Sequence, residues 1–236
     1  MRGMTSPEIH RVTTLDLKVR QTPWAFADAR RGEIEAHFAL TREAKPEIWN
    51  GRVMLARSAI VADDHLSAEY FETDFASFLA WRDWGFPDRT VFNGFGMGAL
   101  KSSDGAYLLG EMGPHTANAG RIYFPAGTPD PDDVRDGMLD IEGSVVREIA
   151  EETGLDPADY TMDARWSCVS AGARIAMIRI LNAGMPAEAL RARIEANLAR
   201  QARPELRAIH LARGVGDLSP AMPDFVTAFL KAQLEA

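Results

Sequence analysis

The sequence feature that most constrains the fold is a helix with a glutamate inside its apolar stripe. Residues 141–153 have helical periodicity, and Asp140 and Gly154 are suited to begin and end that helix. Three aliphatic side chains at helical spacing form the stripe: Ile141, Val145 and Ile149. On a helical wheel Glu152 falls between the first two of them. A helix selected only for packing does not place a carboxylate there, since an isolated buried charge is costly.

Three carboxylates cluster at the end of this helix. Glu148 and Glu152 are one helical turn apart, and Glu151 lies on the neighbouring face. Like charges at this spacing repel one another, and a divalent cation would remove the repulsion. Mg²⁺ prefers hard oxygen ligands of this kind. The plainer alternative is a solvated acidic helix end, in which Arg147 forms an ordinary ion pair with Glu151.

The string around these carboxylates resembles the Nudix hydrolase family. The family's box ends in Arg-Glu-apolar-x-Glu-Glu-x-Gly-apolar, and residues 147–155 match every fixed position. Residues 124–127, Phe-Pro-Ala-Gly, resemble the Pro-Gly-Gly that opens the family's loop, and the hairpin predicted at 95–111 resembles the strands before the box. The resemblance covers roughly residues 91–236.

The chain departs from the family pattern in the loop before the helix. Gly127 lies twenty residues before Arg147, so the loop is several residues longer than in the family. The first glutamate of the box, which usually orients the helix arginine, falls on Leu139. Three nearby acids are candidates to replace it: Asp136, Asp140 and Glu142.

The resemblance implies a role for each residue of the box. Glu148 and Glu152 are expected to be metal ligands, and Glu151 to bind metal or position water. Gly127 would supply a backbone carbonyl, and Arg147 would anchor the loop. The expected cofactor is Mg²⁺, with Mn²⁺ as a substitute.

A Nudix site usually takes a further acid from outside the box, and Glu205 is the candidate here. It precedes a strand predicted at 206–211, although a surface carboxylate at a helix end explains it equally well. In the implied mechanism, metal ions polarise a diphosphate and activate water. Glu151 or Glu205 then accepts the proton of that water.

Strands surrounding a few helices predict an α+β fold. The resemblance implies a Nudix-type α/β/α sandwich with a mixed sheet over residues 91–236, preceded by a smaller α+β lobe over residues 1–90. A polar loop is predicted at 125–137. The predicted helices are 30–42, 75–84, 141–153, 187–201 and 224–234. The predicted strands are 53–61, 65–71, 95–101, 106–111, 122–124, 166–169, 175–181 and 206–211.

Composition narrows the class of partner. The chain carries 34 acidic and 26 basic side chains, a net charge of −8, with no basic run. This argues against a broad nucleic-acid or membrane surface. Cys168 is the only cysteine, so no intrachain disulfide forms, which suits a cytoplasmic protein. No apolar run approaches the roughly 20 residues of a membrane-spanning helix.

Several other residues bear on ligand binding. Asn118 and Arg121, in a loop at 113–121, are placed to touch phosphate or sugar, although a plain polar hairpin loop is also consistent with them. Three tryptophans are predicted to belong to the hydrophobic core rather than to a surface on which a ligand stacks: Trp49, Trp81 and Trp84. The glycine alternation at 94–98 is not followed by a helix, which argues against a dinucleotide fingerprint.

The predicted substrate is a small nucleoside diphosphate derivative. Trp24 and residues 47–51 resemble the leading segment of Nudix relatives that cleave uridine diphosphate sugars, which suggests a nucleotide sugar such as UDP-glucose. Other nucleotide sugars, ADP-ribose and coenzyme A derivatives stay open. A homodimer is left open. Two rival interpretations remain: a catalytically impaired nucleotide-binding sensor or scaffold, which the altered loop favours, and a structural interaction domain that does not respond to metal.

Overall fold

The fold is known from a computed structural model that describes residues 6–235. Within that range the chain forms twelve strands. They are β1 (Glu8–Val12), β2 (Thr14–Val19), β3 (Arg52–Ala62), β4 (His65–Asp74), β5 (Val91–Lys101), β6 (Tyr107–Met112), β7 (Ile122–Tyr123), β8 (Val134–Arg135), β9 (Met138–Leu139), β10 (Tyr160–Ala171), β11 (Arg174–Ala183) and β12 (Leu206–Ala212).

Six α-helices accompany these strands in the described part of the chain. They are α1 (Ala25–Ala29), α2 (Arg31–Ala44), α3 (Phe75–Asp83), α4 (Ile141–Thr153), α5 (Ala187–Leu198) and α6 (Asp224–Leu234). Short 3₁₀ turns lie at Pro131–Asp133, Pro157–Asp159 and Val215–Asp217. None of the helices in residues 6–235 is long and apolar enough to cross a membrane.

The strands pair into one mixed sheet. Its main path runs β1-β10-β11-β5-β3-β4-β2-β9-β8, and β6 branches from β5 to pair with β7 and β12. The pairs β5–β11 and β2–β4 are parallel, and the other pairs are antiparallel. The predicted α+β class with a mixed sheet is therefore confirmed.

Strand β5 lies between two helical layers. Successive side chains of a strand point to opposite faces of the sheet. Phe95 packs edge-on against Phe225 of α6, with ring centroids 5.6 Å apart. Gly96 and Gly98 face α4 on the opposite side. The helices α4 and α6 thus cover opposite faces of the sheet at β5, as the predicted α/β/α sandwich requires.

Two glycines of β5 set how closely α4 approaches the sheet. A Cβ on Gly96 would lie 2.7 Å from a methyl of Val145, and one on Gly98 would lie 2.7 Å from a methyl of Ile149. Any side chain here would push the helix away. Close packing of the acidic helix therefore explains Gly96 and Gly98, whereas Gly94 is packed against the Tyr70 hydroxyl.

The predicted boundary at residue 90 stays a prediction. The first part of the chain has its own cluster of buried side chains, in which Trp24 and Trp81 meet edge-on with ring centroids 5.9 Å apart. Strand pairing nevertheless crosses the boundary three times, since β1 pairs with β10, β2 with β9 and β3 with β5. The sequence did not predict β1, β2 or α1.

The structure corrects three local predictions. Trp49 is 80% exposed and does not belong to the core, whereas Trp81 is fully buried. The predicted loop at 125–137 contains a 3₁₀ turn and the strand β8, because Asp130 caps the turn and the residues of β8 pair with β9. Helix α5 ends at Leu198, before the predicted 201.

Candidate metal centre

Helix α4 begins and ends at the residues that its sequence indicates. Asp140 accepts a hydrogen bond from the Gly143 N–H at 2.9 Å and caps the first turn. Gly154 closes the helix with a φ of 72°, a left-handed conformation that favours glycine. The glutamates thus lie in the last turn, where the helix dipole disfavours negative charge. The local structure thus concentrates acidic side chains where a bound cation or a proton would relieve their repulsion.

Glu152 is the most buried of these carboxylates. Its side chain lies within the apolar stripe, and the residue is only 5% exposed, as the wheel predicts. One oxygen, Oε1, accepts a long hydrogen bond of 3.4 Å from the Ala126 N–H. The other, Oε2, is buried and has no hydrogen-bond partner within the described residues. Burial raises the pKa of Glu152 well above its usual value, and the charges of Glu148 and Glu205 raise it further.

Glu148 lies beside Glu152 and is 15% exposed. Burial is the main cause that raises the pKa of Glu148 to about 7, against the lowering effect of Arg147. A Cβ on Gly127 would lie only 2.2 Å from Oε1 of Glu148, so the backbone of Gly127 packs directly on this carboxylate. Gly127 therefore lies against the acidic helix, and its role as a backbone ligand of the metal stays a prediction.

The other two predicted acids lie at the edge of this pair. Glu151 is 63% exposed, and its carboxylate is 3.9 Å from Nε of Arg147. The charge of Glu205 raises the pKa of both Glu148 and Glu152, so Glu205 faces the same site from outside the helix. The Glu205 carbonyl accepts a 2.7 Å hydrogen bond from the Gly113 N–H, which fixes its backbone.

The acid that holds Arg147 is Asp133, which the sequence did not suggest. Asp133 is almost fully buried, and its two oxygens accept from Nη1 and Nη2 of Arg147 at 2.5 and 3.3 Å. This contact holds the pKa of Arg147 well above its usual range. The aligned position, Leu139, is a buried core residue. Asp133 lies in the lengthened loop, and only the folded loop brings it to the helix.

The three acids suggested for this contact have other surroundings. Asp140 caps α4, and Glu142 pairs with Arg179 at 3.3 Å between Oε2 and Nη1. Asp136 occupies a turn with a φ of 49°. Because Asp133 makes the contact with Arg147, the prediction that one of these three acids replaces the first glutamate of the box is wrong.

The donor set fits a hard divalent cation. The unpartnered Oε2 of Glu152 and the buried carboxylate of Glu148 are oxygen ligands that Mg²⁺ prefers, and each is costly to ionise without a cation. Within residues 6–235, no group of three or more His, Cys, Asp or Glu side chains is placed to hold a metal ion without other ligands. Such a set suits a metal that keeps water and substrate oxygens among its ligands.

A cleft of about 540 Å³ is lined in part by the loop residues that contact these carboxylates. Ala126 and Gly127 form one end of it, and their other contacts are Glu152 and Glu148. Asn118 and Arg121 line the cleft, as one interpretation of their loop suggests, whereas His115 of the same loop does not line it. The sequence did not anticipate the remaining wall, whose main members are Phe75, Phe78, Asn93, Phe95, Arg174 and Phe225.

No family model matches the chain, and no curated protein matches it. Among solved structures, the chain is similar to RenU, a Nudix hydrolase from M. smegmatis, at 18% identity and a TM-score of 0.38, over 59% of this chain and 81% of that one. It is also similar to the MutT protein from Methanosarcina mazei Go1, at 16% identity and a TM-score of 0.35, over 60% and 92% respectively. At these TM-scores, the function has to follow from the residues of the site.

Proposed function

We propose that this chain is a Nudix-type hydrolase that depends on Mg²⁺ and cleaves the diphosphate bond of a nucleoside diphosphate derivative, such as a nucleotide sugar. The observation that carries the proposal is the buried pair Glu148 and Glu152, with an unpartnered oxygen on Glu152, in contact with Ala126 and Gly127, which line a ligand-sized cleft. The match of residues 147–155 to the Nudix box supports the same conclusion.

Glu148 and Glu152 would hold the metal, with Gly127 close enough to contribute its backbone. When bound, Mg²⁺ neutralises charge on the diphosphate and lowers the pKa of water. Arg147 does not touch substrate in this account. Because the buried Asp133 fixes its guanidinium, Arg147 anchors the loop that carries Gly127.

The proton of the attacking water goes to Glu205 or to Glu151. Both carboxylates are exposed enough to exchange protons with solvent, and both lie beside the buried pair. Conservative variants separate them. The true base, changed to glutamine, lowers kcat and removes the acidic limb of the pH–rate profile. The other variant retains that limb.

The binding-only alternative loses its main support in this structure. Two features favour this alternative: the absence of the first glutamate of the box, which usually orients the helix arginine, and the extra length of the loop. Asp133 makes that contact here, so the loop is held in place despite its extra length. An intact arginine anchor and three intact box glutamates together favour catalysis.

The direct test is product analysis with matched variants. The protein is incubated with Mg²⁺ and a panel that includes UDP-glucose and ADP-ribose, and products are separated by chromatography. We expect cleavage at the diphosphate, lost in Glu152→Ala and retained in Glu195→Gln, an exposed glutamate on α5. Binding of panel members without products from the unmodified protein would contradict the proposal and favour a sensor.

A further inference from the structure

We propose that the cleft is a nucleobase pocket, in which the base lies among phenylalanine rings and the Asn93 amide reads its polar edge. This names the part of the substrate that the chain recognises. The direction assigned to the diphosphate rests on the proposed function, whereas the base pocket is supported by the cleft itself.

The wall of the cleft suits a planar ring. Four phenylalanines contribute, from three separate elements. Phe75 and Phe78 of α3 have ring centroids 5.8 Å apart, and Phe95 of β5 and Phe225 of α6 are 5.6 Å apart. Aromatic rings attract one another at such separations in offset or edge-on geometry. A sugar ring carries hydroxyls on most of its carbons, and phenylalanines offer them no hydrogen bonds.

Asn93 provides the polar contact in this wall. Its Oδ1 is buried and has no hydrogen-bond partner within the described residues, while its backbone N–H already donates to the Ala173 carbonyl at 2.8 Å. A buried polar atom without a partner is destabilising unless a ligand or water satisfies it. An amide both donates and accepts, as the edge of a nucleobase does. Asn93 is therefore suited to distinguish one base from another.

The neighbouring side chains hold this end of the cleft rigid. Arg174 is the register partner of Asn93 across the parallel pair β5–β11. Its Nη2 donates to both oxygens of Asp224 at 3.2 Å, and its guanidinium carbon lies 5.3 Å from the centre of the Phe225 ring. A fixed wall lowers the entropic cost of ordering a ligand.

The opposite end of the cleft is suited to phosphate. Ala126 and Gly127 contact the carboxylates there. Tyr123, whose hydroxyl accepts from the Asn118 amide, lines the same end. Burial is the main cause that raises the pKa of Tyr123, and the charges of the nearby glutamates raise it further. Arg121 lines this region and has no ion-pair partner in residues 6–235.

A ligand with its base at Asn93 thus directs its phosphates toward Gly127. The group beyond the second phosphate then lies outside the aromatic wall. We therefore expect the protein to discriminate strongly between bases and weakly between the groups attached to the second phosphate.

The test measures binding without catalysis. Calorimetry in EDTA compares AMP, GMP, CMP and UMP with ribose 5-phosphate, which has the same phosphate and sugar but no base. We expect at least one nucleotide to bind about tenfold or more tightly than ribose 5-phosphate, since stacking on an aromatic ring contributes this much. Equal binding of all five compounds would overturn the proposal.

Two variants assign the contacts. Phe225→Leu is expected to weaken the binding of every nucleotide about tenfold, because it removes the aromatic ring of the wall but leaves the Asn93 amide. Asn93→Leu is expected to reduce the ratio between the best and the worst base to within about threefold. Matched controls outside the cleft are Phe92→Leu and the exposed Asn182→Leu, which should leave all affinities unchanged.

Unchanged base discrimination in Asn93→Leu would show that the base is read elsewhere and would overturn the assignment. If that variant does not fold, as judged by circular dichroism, Asn93→Asp replaces it. The aspartate keeps the shape but removes both donors, so the order of preference among the bases must change. Retention of the original order would overturn the assignment.

The two proposals fail separately. Base-selective binding without diphosphate cleavage would contradict the proposed function and retain the base pocket. Cleavage with no preference among bases would retain the function and contradict the pocket.

Discussion

The two ends of the cleft differ in how they are stabilised. At the acidic end, Glu148 and Glu152 are buried beside each other, and one oxygen has no partner. At the aromatic end, Phe95 packs on Phe225 and Arg174 is tied to Asp224. The acidic end therefore carries buried carboxylates that a cation would stabilise, whereas the aromatic end is packed before any ligand binds.

This difference indicates that the two ends of the cleft have separate roles. Residues at the acidic end cost stability in the metal-free protein, which is typical of groups retained for chemistry. Residues at the aromatic end both stabilise the fold and shape the ligand. Changes at the first end should therefore affect turnover, and changes at the second should affect binding.

The largest effect is expected from Glu152→Gln. Loss of one metal-binding carboxylate should lower kcat about 100-fold or more, because even residues that only support metal ligands contribute 10- to 100-fold. Phe225→Leu should instead raise KM with kcat nearly unchanged. Steady-state kinetics of both variants against the same substrate separates the two ends. Similar losses of kcat in both would break the distinction.

A smaller loss is expected from Gly127→Ala. The new Cβ would lie 2.2 Å from Oε1 of Glu148, so the carboxylate or the loop must move. We expect kcat to fall about tenfold, since a displacement of this size at a catalytic group is costly. The matched control is Gly184→Ala, which has open space around its Cβ. Equal activity in the two variants would show that Gly127 does not shape the site.

The ion pair between Asp133 and Arg147 should affect mainly the free energy of unfolding. Asp133→Asn removes the charge that holds Arg147, and losing a buried, charged hydrogen-bond partner costs about 1–3 kcal/mol. Urea unfolding measures this cost. A double-mutant cycle with Arg147→Gln tests whether the two residues act together. Additive effects would show that the pair is not coupled.

The smallest effect is a pH dependence of the metal-free protein. Burial raises the folded-state pKa of Glu148 to about 7 and that of Glu152 well above normal. The neutral carboxyls therefore favour the fold below the ordinary glutamate pKa, and this stability is lost as the pH rises through about 7. In EDTA, the melting temperature should fall between pH 5 and pH 8.

The matched variant for this measurement is Glu152→Gln, which cannot ionise at that position. Its melting temperature should fall less over the same range, and Mg²⁺ should stabilise it less than the unmodified protein at pH 8. Identical pH profiles would contradict the assignment of the destabilising charge to the buried pair.

Features that depend on neighbours along the chain were predicted well from the sequence. The bounds of α4 and the burial of Glu152 follow from capping residues and helical spacing, and both are confirmed. Strands β1 and β2 were missed because they are short and polar, and partners distant in sequence stabilise them.

Features that depend on tertiary contacts were not predicted. Asp133 lies in a loop that gave no periodic signal, and the loop must fold back before the acid meets Arg147. The aromatic end of the cleft combines Phe75, Asn93, Arg174 and Phe225, which belong to four different elements. No local spacing in the sequence links these positions.

The most direct test of the central claim is to locate the metal. A crystal of the protein grown with Mn²⁺, a substitute for Mg²⁺, gives an anomalous difference map. We predict a peak within about 2.0–2.3 Å of carboxylate oxygens of Glu148 and Glu152, absent in Glu152→Gln. A map with no peak at this pair, or with Mn²⁺ bound only elsewhere, would contradict the account.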